Sequence, residues 1–261
     1  MPIAKLERTI FHLSGDNLRP WFEGLITNNL DAPLTFAALL TPQGKIIADF
    51  FILKDGDDLL LDTAPKFASL LFKRLKMYKL REKIEVTDVS ETYHLYALWE
   101  GHGDIGEGDP RRAELGQRLI TQDIIETTAT AEDYDLHRLG LSIPDSQYDF
   151  ETETTFPANA NMDQLNGVDF KKGCFVGQEV ASRMHRKTDI RKRMQAVKAD
   201  AALELGQIFC GERVVGDILY TSGQTGMAML RLDRLAQTKE PPMTGGPDNK
   251  ILLEIIDAPT A

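Results

Sequence analysis

The sequence predicts an α+β protein in which residues 191–261 form a small C-terminal antiparallel β-barrel. Between residues 35 and 99, strand-length apolar runs are interrupted by one stretch, Lys66 to Leu80. It carries Phe67, Leu70, Leu71, Leu75 and Met77 at roughly helical spacing, so a helix is laid across an antiparallel sheet. From about Lys192 the runs shorten and are separated by Gly, Asp and Ser turns, the pattern of a small barrel. At 261 residues, 42% hydrophobic and 27% charged, the chain has the length and composition for a substantial core of one to three domains.

Each element follows from local pattern. Glu7 to Ser14 reads as a strand ending in the Ser14-Gly15-Asp16 turn. Asp16 or Asn17 then caps a helix that buries Trp21, Phe22, Leu25 and Ile26. Thr35–Thr41 and Lys45–Lys54 form a hairpin around Pro42-Gln43-Gly44. Asp55-Gly56-Asp57-Asp58 turns into a strand at Leu59-Leu60-Leu61, and after the Lys66–Leu80 helix come strands at Ile84–Val89 and His94–Trp99. Gly101 to Pro110, with four glycines, one proline and three acids, is a loop. Thr130–Leu141 is a helix stopped before Pro144. Asp149–Asn161 is polar and irregular, a place where binding loops lie. The barrel strands are Ala196-Val197, Gln207–Cys210, Val214–Tyr220, Gly226–Leu232 and Ile251–Ile256, with Thr238–Asn249 a loose excursion before the last.

Composition narrows function. Two cysteines, Cys174 and Cys210, make no disulfide framework and cannot supply four ligands to a cluster within one chain. The five histidines lack zinc-site spacing, so no permanently bound metal is expected. No apolar run reaches membrane-spanning length and Met1 to Arg8 has no signal core. The expectation is a cytosolic protein, or a mitochondrial-matrix one if a targeting peptide has been removed. A net charge of −10 argues against a surface that coats nucleic acid, leaving RNA contact indirect or weak. Yet Lys171 to Lys198 holds nine basic residues against two acids. That segment suits either a polyanionic guest or a solvated, charge-guarded face.

Lys172-Gly173-Cys174-Phe175-Val176-Gly177-Gln178-Glu179 is the most specific stretch. It sets one thiol between two glycines and just ahead of a helix start, with Lys171 and Lys172 alongside. This placement favours an exposed thiol held as thiolate at lower pH than usual. The alternative is a small buried hydrophobe in a glycine turn. Glu179 suits the helix dipole, and Arg183, four residues on, forms an i,i+4 pair with it.

Gly167 to Arg183 closely resembles the signature of the YgfZ-type (CAF17-like) folate-binding proteins, relatives of the glycine-cleavage T protein (aminomethyltransferase, GcvT). Leu13-Ser14-Gly15-Asp16, Gly24 to Leu30, Pro42 to Phe50, Ala131 to Pro144, Thr221-Ser222-Gly223 and Met229 to Leu232 resemble other parts of the same family, so the likeness covers nearly the whole chain. It implies a GcvT-like folate-binding fold with ferredoxin-like subdomains over residues 1–190, intertwined as 1–100 and 101–190, and the barrel at 191–261. It also implies that tetrahydrofolate or a derivative, with or without a polyglutamate tail, sits between subdomains. Asp49 matches the position of the transferase's catalytic acid; by itself it reads equally as a solvent-facing strand residue or a partner of Lys45. Asn159, Lys172, Phe175, Gln178 and Arg183 complete the implied folate set.

Three departures from the family pattern matter: Asn159 replaces a glutamate and cannot ionise, Phe175 replaces a tyrosine, and Ser142 replaces a glycine before Ile143-Pro144. The resemblance implies a folate-binding accessory factor for assembly or repair of iron–sulfur proteins, tRNA-modifying enzymes among them, with Cys174 as the essential thiol. Two further readings stand beside it: a tetrahydrofolate-dependent aminomethyl or one-carbon transferase, and a thiol enzyme using Cys174 as nucleophile, for which His185 is the nearest histidine in sequence.

Overall fold

In the computed structural model, which describes residues 1–101, 105–187, 190–244 and 250–257, three antiparallel sheets share the chain. The first part runs β1 (Ile3–Leu6), β2 (Thr9–Gly15), α1 (Leu18–Glu23), β3 (Leu34–Leu40), β4 (Ile46–Asp55), β5 (Asp58–Thr63), α2 (Pro65–Tyr78) and β6 (Ile84–Asp88). Then come β7 (His94–Leu98), β8 (Glu107–Gly108), β9 (Gln117–Thr121), α3 (Ala131–Gly140) and α4 (Gln178–Lys187). The last part is β10 (Lys192–Lys198), β11 (Gly206–Cys210), β12 (Arg213–Ser222), β13 (Thr225–Arg231), α5 (Leu232–Leu235), β14 (Met243–Thr244), β15 (Ile251–Leu252) and β16 (Glu254–Ile255).

The largest N-terminal sheet has the order β3-β4-β5-β2-β6, and α2 packs on it through Phe67, Leu71 and Leu75. Met77, expected on that apolar face, is exposed, because two residues past Leu75 is about 200° around the helix. All seven residues of β3 are buried. The second sheet, β1-β7-β9-β8, corrects the sequence reading in two ways. It separates β6 from β7, which pair with β2 and with β1 and β9. It also adds β1, β9 and, inside the expected Gly101–Pro110 loop, β8. These strands are short and half polar, so they carry little periodicity of their own; residues 102–104 of that loop lie outside the described residues. Strands from both sides of position 100, β1 and β7 before it and β9 and β8 after it, pair in this one sheet.

Two helix ends differ in how they are capped. Asn17 is the N-cap of α1 but in a left-handed conformation, φ 57°, and neither it nor Asp16 makes the side-chain capping bond the sequence led us to expect. Thr130 and Asp133 do form a reciprocal capping box on α3. Just beyond α3, Ser142 takes φ 57°, a conformation that favours glycine, and its hydroxyl accepts the Ala196 N–H at 2.8 Å, tying the departure from the family's glycine to the barrel.

The third sheet, β15-β14-β11-β12-β13-β10-β16, curls into a nearly closed barrel around Val197, Ile208, Val215, Ile218 and Leu230. Its expected last strand is split at Leu253 into β15 and β16, and β14 arises inside the Thr238–Asn249 excursion, of which 245–249 lie outside the described residues. Met194, Ala196 and Met227 belong to the main core with Phe50, Phe67 and Phe150, so the barrel is packed onto the N-terminal part. No helix of the described residues is long and apolar enough to cross a membrane.

Candidate functional site

The thiol loop is anchored at both ends. Before it, the Thr27 hydroxyl donates to the Gly167 carbonyl at 2.6 Å and Asp169 N–H donates to the Thr27 carbonyl at 2.9 Å. The Asn28 amide donates to the Asn166 carbonyl at 2.6 Å. Lys172 then turns inward. Its ammonium donates to the carbonyls of Glu23, Ile26 and Asn28 at 2.5, 2.8 and 2.8 Å, and partial burial lowers its pKa to about 8. All three donors are thereby used, and Lys172 clamps the loop to the segment after α1. Phe175 is buried in the main core below it. After the thiol, Gly177 takes φ 80° with its Cα against the Thr41–Gly44 turn. A Cβ there would lie 2.6 Å from the Thr41 carbonyl oxygen. Between these anchors Cys174 is exposed, while Cys210 is buried in the barrel.

The helix that follows carries the rest of the expected set without aiming it at a shared pocket. The Gln178 amide reaches the Gly173 carbonyl at 3.4 Å, and Arg183 pairs with Glu179 at 3.5 Å with both side chains exposed. Such a pair stabilises a helix by about 0.3–0.5 kcal/mol. His185 stacks flat on Phe170, ring centroids 3.8 Å apart and 9° from parallel. No hydrogen bond joins it to Cys174 among the described residues.

Asp49 lies elsewhere. It is buried in β4 and accepts a hydrogen bond from the Ser146 hydroxyl; Lys45 instead donates to the Thr154 carbonyl and covers the Phe156 ring, so the solvent-facing and Lys45-paired readings of Asp49 fall. Burial raises the Asp49 pKa to about 6, helped by Asp145 and opposed by Ser146, Arg8 and Arg111. Burial also opposes the Asp145 charge, but Arg8, Arg138 and Arg111 outweigh it and bring its pKa down to about 2.

These groups belong to a buried network that sequence reasoning missed. Asp62 receives Arg8 at 2.5 Å and also Arg118, which pull it below the usual carboxylate range against its burial. Arg111 holds Asp109 through both oxygens, and the Arg111 and Arg118 guanidiniums lie over the Phe51 ring at 4.8 and 3.7 Å. Arg138 bridges Asp135 and Asp149 at 2.6 and 2.5 Å. The available signal was a single charge inside an apolar run, as in Leu59-Leu60-Leu61-Asp62 and Ile46-Ile47-Ala48-Asp49; such charges are rarely buried unless partnered.

Beside the network opens a cleft of about 160 Å³ lined by Arg8, Arg118, Tyr134, Asp145, Gln147 and Tyr148 among others. Asn159 lies at a different groove of about 450 Å³, with Lys45, Phe156, Arg191, Lys192 and Met229. Its side-chain amide donates to the Lys192 carbonyl at 2.7 Å and its backbone carbonyl accepts the Met194 N–H at 2.8 Å, so it holds β10 in place. The six residues expected to hold folate thus fall into separate places: Asp49 in the network, Asn159 at the groove, Lys172 and Phe175 beneath the thiol loop, Gln178 and Arg183 on α4.

Residues 191–256 match the family model of the CAF17 C-terminal β-barrel domain. A protein of Mycosarcoma maydis named as a mitochondrial iron–sulfur cluster assembly factor IBA57 homolog is 31% identical over 224 residues, 74% of this chain and 56% of that protein. The human mitochondrial assembly factor IBA57 is 28% identical over 272 residues, 87% of this chain and 76% of its own. The chain spans about half the length of the fungal relatives from Mycosarcoma maydis and Neurospora crassa. Among solved structures, the glycine cleavage system aminomethyltransferase T of Bartonella henselae superposes with a TM-score of 0.74 at 13% identity, covering 98% of this chain and 85% of that one.

Proposed function

We propose that this chain, CAF17-like in its C-terminal barrel and folded like aminomethyltransferase T, is an accessory factor in iron–sulfur protein assembly. The relatives' names support this, and the observation that carries it is the display of Cys174. A loop pinned by the Lys172 ammonium and by the Gly177–Gly44 contact holds one thiol outward, where a partner's cluster or sulfur can reach it. The partners are then cluster-assembly proteins and iron–sulfur clients, tRNA-modifying enzymes among them, with RNA touched only through the client. The named relatives are mitochondrial and lend no support to a cytosolic placement; we place this chain's work in the mitochondrial matrix.

Reduced folate is the second part of the reading. The cleft beside the network suits it chemically: Arg118 and Gln147 are polar residues of its lining, Tyr134 and Tyr148 are aromatic ones, and Asp145 stands ionised alongside. A bound tetrahydrofolate would supply one-carbon carriage. Against turnover as a transferase, Asp49 is enclosed by Ser146, Arg8 and Arg111, and Asn159 cannot ionise and is committed to β10.

Complementation tests the thiol. In cells lacking the protein, activity of an iron–sulfur client should be restored by wild type and by Cys210→Ala but not by Cys174→Ala. Equal cellular levels of the variants separate this from a folding defect, since an exposed thiol replaced by methyl stays within about 0.5 kcal/mol. Rescue by Cys174→Ala at wild-type level would make the thiol dispensable. Calorimetry with tetrahydrofolate tests the folate part, and no heat at millimolar ligand removes it.

A further inference from the structure

The helix α2 ends in a turn that displays an apolar side chain among cations. From Lys66 to Lys83 the chain carries seven basic residues and a single acid, Glu82, within a protein of net charge −10. Phe67, Leu71 and Leu75 hold α2 to the sheet at β4 and β6. Lys73, Lys76 and Met77 fall on the opposite side of the helix from that stripe, and all three are exposed. Arg74 is taken by Glu153 and Lys83 lies 3.9 Å from Asp16, whereas Lys73, Lys76 and Arg81 make no ion pair among the described residues.

The turn that follows is held in shape. Glu82 N–H donates to the Lys79 carbonyl at 2.8 Å, which makes Leu80 and Arg81 the two central residues of a β-turn, and the Lys79 ammonium folds back onto the Ile84 carbonyl. Such positions are normally filled by Gly, Pro, Asn, Asp or Ser. Here Leu80 stands at the tip, 82% exposed, and Met77 one helical turn before it is 46% exposed. A leucine fixed in water at a turn tip forgoes the benefit of burial and adds nothing to the fold. Ile124 is equally bare at 86%, but Asp123 and Glu126 flank it in sequence. The other basic run, Lys171 to Lys198, shows no large exposed apolar side chain among the described residues. Of the two runs, then, this one alone pairs its cations with an apolar tip.

We propose that the end of α2 docks on an anionic phospholipid surface, with Leu80 entering the acyl boundary and Lys73, Lys76, Arg81 and Lys83 at the level of the phosphates. Clustered cations on an amphipathic helix beside exposed apolar side chains are what such a surface holds. Form favours the bilayer over an acidic protein. Leu80 stands on a convex tip with cations on both sides of it in the chain, and a fluid interface accommodates that without a matching pocket. The excess acid on the rest of the chain is repelled by the same surface and so sets one orientation. One leucine and four cations give a weak, reversible attachment, independent of the Cys174 reading.

Vesicle sedimentation of the full chain tests it, with phosphatidylcholine alone and with about 30 mol% phosphatidylglycerol added, at about 0.1 M salt. The mixed vesicles should hold roughly tenfold more protein, and about 0.5 M salt should release it. Lys76→Glu/Arg81→Glu should lower partitioning roughly tenfold and Leu80→Ser severalfold, while Ile124→Ser should leave it unchanged. All these positions are exposed, and equal melting temperatures keep folding out of the comparison. Brominated acyl chains should quench the wild type and not Trp21→Phe, because the Trp21 indole donates to the Tyr78 carbonyl at 3.4 Å beside the turn whereas Trp99 is buried elsewhere. Equal binding to neutral and charged vesicles, no sedimentation, or unchanged partitioning of Leu80→Ser or of the double reversal overturns the site. Capture on immobilised polyglutamate that the double reversal abolishes, with vesicles left unbound, would replace the bilayer by an acidic protein.

Discussion

Asp49 sits where burial and its neighbours pull its charge in opposite directions. Burial disfavours the carboxylate, as does Asp145, while Ser146, Arg8 and Arg111 favour it, and the balance leaves its pKa near 6. A carboxyl whose folded pKa lies above its unfolded one contributes stability that is fully present below about pH 4 and is lost as pH rises through 6. Above that point the wild type buries a charge that an asparagine would not. Asp49→Asn keeps an oxygen to accept from Ser146. It should therefore be more stable than wild type at pH 7.5, and the rise from 3.8 to about 6 corresponds to on the order of 3 kcal/mol. The gap should close by pH 4. Urea unfolding of both proteins at the two pH values checks this, and a variant less stable than wild type at pH 7.5 would mean that Asp49 is needed as an anion by Arg8 and Arg111.

The thiol loop shows the same reasoning for an element. Its glycines look alike in sequence but differ in demand. Gly177 has φ 80° and lies against the Thr41 carbonyl and Gly44, whereas a Cβ at Gly173 would meet nothing within 4 Å. Gly177→Ala should destabilise by roughly 2–4 kcal/mol, combining left-handed strain with a contact that the hairpin turn cannot yield. Gly173→Ala should stay within about 0.5 kcal/mol. Thermal melts of the pair decide it, and similar losses in both would show that the loop's path, not the Gly177 contact, sets the requirement. That loop was legible because glycines, a thiol and a helix start lie adjacent in the chain. So were β3, β4, α2, α3 and the main barrel strands, each long enough to show its own period. The central network was not legible. Arg8, Asp62, Arg118 and Asp145 come from four distant segments, and only the pairing of two sheets brings them together. Lys172 was misjudged for a related reason: sequence shows a cation in a basic run but not the three carbonyls that absorb it.

Across the whole molecule, the docking of the barrel decides which cations of that run remain available to a ligand. Arg193 is spent on docking. It holds Asp163 through two bonds of 2.8 Å and reaches the Ala158 carbonyl at 3.0 Å, next to the points where Asn159 and Asn161 take the Lys192 and Met194 carbonyls. Tyr220 adds a bond to Asp135 at 2.9 Å, and the Tyr148 and Tyr220 rings stack, so the barrel is fastened along both β10 and β12. Arg191 and Lys192 are exposed and line the groove with Lys45, Phe156 and Met229. On the folate reading proposed above, an acidic tail would meet its cations there, and its attraction would be of the screened, salt-sensitive kind. Reversing both charges in Arg191→Glu/Lys192→Glu should leave the melting temperature nearly unchanged. It should weaken tetrahydrofolate polyglutamates several-fold more than the monoglutamate, with the difference shrinking as salt rises. Arg193→Ala should instead cost about 2 kcal/mol of stability, because it leaves the part-buried Asp163 carboxylate without its partner. Titrating both folate forms against both variants at two salt concentrations separates the roles. Equal weakening of mono- and polyglutamate by the double reversal would make the groove a solvated charged face, with the basic run serving only to fasten the barrel.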